Sequence, residues 1–90
     1  MKYTISKEYI TFVYEVNSLH IKFSVSKKNI LDKLEKAINF IDIDFSEQPL
    51  IYTQNGDLII EAYKAIITLK YSDYDWVFKN LCRELKQLNN

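Results

Sequence analysis

The chain has 90 residues, of which 48% are hydrophobic and 27% charged, and twelve Lys and Arg balance twelve Asp and Glu. Leu, Ile, Val and Phe occupy 30 of the 90 positions, well above the level of about a fifth below which chains stay disordered, so one folded domain over residues 1–90 is expected. The single Gly excludes glycine-rich nucleotide loops, and the ratio of eleven Lys to one Arg disfavours base-specific DNA reading.

No apolar run reaches signal-peptide or membrane-spanning length, so the expectation is a soluble, cytoplasmic chain without membrane contact. Cys82 is the only cysteine, which leaves no intramolecular disulfide and no multi-cysteine metal site. A domain this small has a thin stability margin, and a homodimer is one way of widening it.

Tyr9 to Val25 alternates around Asn17-Ser18, which reads as a hairpin with a two-residue turn. That register pairs Val16 with Leu19, Tyr14 with Ile21, Phe12 with Phe23 and Ile10 with Val25 on one apolar face. Glu15 with His20, Val13 with Lys22 and Thr11 with Ser24 fall on the other. A one-residue slip would destroy this separation. Ser26 then stands where a helix cap belongs. Ile30, Leu31, Leu34, Ala37, Ile38 and Ile41 follow at helical spacing, predicting a helix over about 28–41.

Asp42 to Pro49 is short and acidic, and Pro49 both lacks a donor and restricts Gln48, so a connecting loop is expected there. Asn55-Gly56 is the strongest turn signal in the chain because both residues tolerate positive φ. It predicts a hairpin with Ile51 opposite Ile60 and Thr53 opposite Leu58 on one face, and Tyr52 opposite Ile59 on the other. A further strand over Ala65 to Tyr71 puts Ala62 opposite Ala65, Ile60 opposite Ile67 and Leu58 opposite Leu69, with Asp57 facing Lys70 on the reverse side. Ser72 and Asp75 match a loose capping box. Trp76, Val77, Phe78, Leu81, Cys82, Leu85 and Leu88 then give a helix over about 73–88.

A shift of 46 lays Ile21, Phe23, Val25 and Ser26 over Ile67, Leu69, Tyr71 and Ser72. This fits a duplication, although two amphipathic hairpin-helix units share such periodicity without common descent. The expected architecture is α+β in ββα-βββα order, an antiparallel sheet of about five strands with two helices packed on one face.

Little in the sequence carries catalytic chemistry. Cys82 and His20 are the only thiol–imidazole combination, but the register puts His20 on the outer sheet face and Cys82 on the apolar stripe of the last helix. Asp42, Asp44 and Glu47 lack the spacing of a calcium loop. The alternation of Ile41, Ile43 and Phe45 with Asp42 and Asp44 reads more simply as an extended edge with its acids in water. No metal, cofactor or enzymatic activity is therefore expected.

Charge is unevenly spread: residues 1–40 carry a net +3, residues 41–62 a net −5 with no base, and residues 63–90 a net +2. The register also leaves Tyr9, Tyr52 and Tyr63 on the outer face with Val13, Ile59 and Ile66, where no helix covers them. The leading expectation is a small non-enzymatic protein-binding module, an inhibitor or adaptor. It would act through the outer face at Tyr9, Val13, Tyr52, Ile59 and Ile66, or through the acidic connector at Asp42, Asp44 and Glu47. The same face could join two copies in a homodimer. The alternative is a nucleic-acid-binding protein using Lys22, Lys27, Lys28, Lys33 and Lys36 with the sheet tyrosines.

Overall fold

The computed structural model describes residues 1–62 and 64–88. In chain order its elements are β1 (Lys2–Ile5), β2 (Tyr9–Val16), β3 (Leu19–Ser26), α1 (Ile30–Ile38), β4 (Asp44–Glu47), β5 (Leu50–Gln54), β6 (Asp57–Ala62), β7 (Ala65–Leu69) and α2 (Tyr71–Leu88). The class is α+β as expected, but the strands form two antiparallel sheets instead of one of five: β1-β2-β3 and β4-β5-β6-β7.

Two strands escaped the sequence pattern. β1 is four residues long, too short for alternation to stand out, and pairs Tyr3 with Phe12 and Ile5 with Ile10. Ser6 closes the bend into β2, its hydroxyl donating to the Tyr9 carbonyl at 2.8 Å. β4 occupies the segment read as a connecting loop. Its register with β5 shifts between Asp44 and Ser46, and this bulge lets Phe45 turn inward while the acids before and after it face water. β3 and β4 lie beside each other without forming a ladder, and the layer is split there.

The hairpin registers agree with the sequence reading. All the β2–β3 pairs named above occur, as do Ile51–Ile60, Tyr52–Ile59, Thr53–Leu58, Leu58–Leu69, Ile60–Ile67 and Ala62–Ala65. Asn17, Asn55 and Gly56 adopt the positive φ that their turns demand. Adding 46 to each partner in β2–β3 reproduces the β6–β7 register, and each of these hairpins leads into a helix. The chain thus repeats a βββα plan, with β4 as the additional strand.

One continuous core joins both sheets to both helices. α1 contributes Ile30, Leu34 and Ala37, and α2 contributes Tyr74, Val77, Phe78, Leu81, Cys82 and Leu85, at the three- and four-residue spacing of a single helical face. The Phe78 ring lies 5.6 Å from Phe12, 5.7 Å from Phe45 and 4.9 Å from Tyr74, so one side chain ties the three-stranded sheet to the four-stranded one. Phe12, Phe23, Ile60 and Leu69 are all buried beneath the helices. Val16 and Leu19, the pair next to the β2–β3 turn, are exposed. Trp76 is exposed because it falls off the buried stripe of α2, whereas Leu88 continues that stripe but is exposed as the last residue of the helix.

The helix limits differ in detail from those expected. Ser26 accepts from Lys28 N at 3.1 Å in the turn ahead of α1, while Asn29 holds the N-cap position in the left-handed region without a side-chain cap. α1 ends in a Schellman motif: Ile41 N donates to Lys36 O at 2.9 Å and Phe40 N to Ala37 O at 3.1 Å. Tyr71 starts α2 instead of ending β7, so Ser72 and Asp75 lie within the helix.

Candidate binding face

In β5, β6 and β7 the inward positions Ile51, Thr53, Leu58, Ile60 and Leu69 alternate with residues that face away from the helices. Register aligns these outward residues in two rows across the four-stranded sheet. Asp44, Tyr52, Ile59 and Thr68 form one; Glu47, Leu50, Glu61 and Ile66 form the other. The bulge in β4 is what keeps both of its acids on this side. Asp44 and Glu47 of the acidic connector and Tyr52, Ile59 and Ile66 of the apolar outer face, separate candidates in the sequence, therefore belong to a single surface.

Ile66 is 68% exposed on β7, an edge strand whose five residues carry no charge. Leu50 is also exposed, while Tyr52 and Ile59 are half-buried by their neighbours in the rows. The Tyr52 hydroxyl donates to Glu61 Oε1 at 3.0 Å, linking the two rows diagonally. That hydrogen bond to Glu61 is the main reason the phenol ionises above its ordinary range, with desolvation and the nearby carboxylates of Glu61 and Asp44 adding to it.

Five of the other acids are matched to bases: Glu15 with His20, Asp32 with Lys36, Asp57 with Lys70, Asp75 with Lys79, and Glu35 with Lys86. Among the described residues no base lies within 4.0 Å of Asp44, Glu47 or Glu61. The face presents three uncompensated carboxylates around an apolar centre. Glu61 and Leu50 were not singled out from sequence. Both share the strand parity of Tyr52 and Ile59, which was the available signal.

The remaining candidates lie elsewhere. Tyr9 and Val13 are on β2, in the other sheet. Val13 sits between Lys2 and Lys22 in a polar row. Tyr9 reaches the split between the sheets, where it lines a cleft of about 460 Å³ with Ser26, Lys33, Asp44, Glu47 and Leu50. It thus adjoins the two rows, whereas Val13 does not share them. Asp42 has a structural task, its Oδ1 accepting from Asn55 N at 3.0 Å and so tethering the connector to the β5–β6 turn. Thr53 completes that attachment: its hydroxyl accepts from Ile43 N at 2.9 Å and donates to Ile41 O at 3.2 Å. Tyr63, also read as an outer-face residue, lies outside the described residues.

Cys82 is buried in the core, and burial pushes its thiol above the ordinary range. His20 is exposed, with Nδ1 2.7 Å from Glu15 Oε1. No cluster of three or more metal-ligating side chains occurs among the described residues, and no helix there is long and apolar enough to cross a membrane. Comparison with protein-family profiles, curated proteins and solved structures gives no significant match.

Proposed function

We propose that this chain is a small non-enzymatic protein-binding module, an inhibitor or adaptor, acting through the outer face of the four-stranded sheet. The observation that carries the reading is the pairing of Asp44 with half-buried Tyr52 and of Glu47 with exposed Leu50, which joins uncompensated acids to apolar side chains on a face turned away from both helices. A sheet buries both faces when a second layer is available, and its bare side is where such a layer docks. Nucleic-acid binding receives less support. The α1 lysines belong to the helical layer, on the other side of the sheet from Tyr52, and the tyrosine's own row begins with an acid.

The test is capture from host lysate on immobilised chain, comparing wild type with Tyr52→Ala plus Ile59→Ser, and with Lys22→Ala on the other sheet. Loss of the captured protein with the first variant alone, its circular dichroism unchanged, supports the proposal. Equal recovery on all three surfaces removes this face from consideration.

A further inference from the structure

We infer that the occupant of this face is a cationic amphipathic helix of another protein, an inference that rests on the binding role proposed above and adds the chemistry of the partner. Charge is the first argument. Asp44 and Glu47 flank one side of the face and Glu61 stands within it, none with a basic partner among the described residues, although most other acids of the helices and hairpins have one. A like-charged or neutral partner would leave these carboxylates desolvated and unpaired; Lys or Arg along one flank of a helix would answer them.

Shape is the second argument. Helices already cover the inner side of this sheet, and a helix on the outer side completes a three-layer stack. Leu50 on β5, Ile59 on β6 and Ile66 on β7 form an apolar strip across three neighbouring strands, about 10 Å, which is the distance from i to i+7 along a helix, so residues at i, i+3, i+4 and i+7 of the partner meet it. Two of the three acids, Asp44 and Glu47, lie on β4 while Ile66 lies on β7 at the opposite edge, so the face also fixes the orientation of what it binds.

The test uses the ¹⁵N-labelled full chain and two synthetic helical peptides of about 14 residues with the same leucine face, one with Lys and Arg on its polar side and the other with Glu. The cationic peptide should shift the amides of Asp44, Glu47, Tyr52 and Glu61, and the anionic one should not. The combined Asp44→Asn, Glu47→Gln and Glu61→Gln variant should weaken the cationic peptide about tenfold, and added salt should weaken it for wild type but little for the variant. Equal shifts from both peptides in these rows would overturn the cationic partner while leaving the binding face in place. No response in the rows at millimolar peptide would overturn both. Shifts that grow with the concentration of the chain alone would assign the face to a second copy and overturn the inference.

Discussion

Replacing Phe40 by glycine and by alanine should have unequal costs, and the order of the two reports whether the end of α1 is strained. Phe40 follows the C-cap of α1 at φ 63°, the position that glycine usually fills in a Schellman motif. A side chain bearing Cβ costs about 1–2 kcal/mol in that conformation, yet the residue is also 62% exposed. Its ring stacks on Tyr71 at 4.2 Å and lies over Gly56, where an added Cβ would come within 3.3 Å of Phe40 Cδ1.

Stacking of this kind contributes about 0.5–1.5 kcal/mol, which offsets much of the backbone cost. Alanine removes the ring and keeps the strain; glycine removes both but adds about 0.4–1 kcal/mol of chain entropy to the unfolded state. Phe40→Gly should therefore be more stable than Phe40→Ala by about 0.5–1 kcal/mol, a difference of roughly 3–6 °C in Tm for a chain of this size. Urea unfolding followed by circular dichroism measures both variants under one set of conditions. If alanine equals or exceeds glycine, Phe40 does not hold the left-handed position and the account of the connector is wrong.

Two further predictions concern the groups that place the face. Thr53→Val keeps the volume but leaves Ile43 N without its acceptor in a site where residue 53 is 4% exposed, so urea unfolding should show a loss of about 1–3 kcal/mol; a loss below about 0.5 kcal/mol would mean the connector is not pinned there. Tyr74 is buried and donates to Gly56 O at 2.9 Å, and desolvation raises its pKa to about 12. The unfolded phenol ionises near its ordinary value of 10.0, so this contribution is complete below that pH and is lost as pH rises toward 12, on the order of 2 kcal/mol. Unfolding between pH 9 and 12 should fall less steeply for Tyr74→Phe than for wild type, and parallel curves would show that Tyr74 is not the titrating group.

Where hydrophobic alternation and turn chemistry act together, the sequence is legible to the level of register. Phe12–Phe23, Ile51–Ile60 and Leu58–Leu69 pair as read, because a slip of one residue would put each apolar set into water. The missing strands had no such redundancy. In β4 the bulge at Phe45 breaks the two-residue period, and Pro49, which does sit in a turn, made the whole segment read as irregular.

That error had a consequence for the site. The alternation of Ile43 and Phe45 with Asp44 gives Asp44 an outward parity, but without the bulge Glu47, three residues on, falls on the opposite face, and nothing in the connector reading places either acid beside Tyr52 and Leu50. The division into two sheets is similarly invisible in local pattern, since it depends on β3 and β4 lying side by side without forming a ladder. Tyr9 and Val13 share outward parity with Tyr52 and Ile59 for that reason alone.

The most direct measurement is hydroxyl-radical footprinting of the free chain against the chain bound to its captured partner. Oxidation should fall at Leu50, Tyr52, Ile59 and Ile66 and stay unchanged at Leu19 and Trp76, which are exposed elsewhere on the fold. Protection confined to Trp76, Phe40 and Ile41, with the sheet rows still reactive, would place the partner on the helical side and contradict the account.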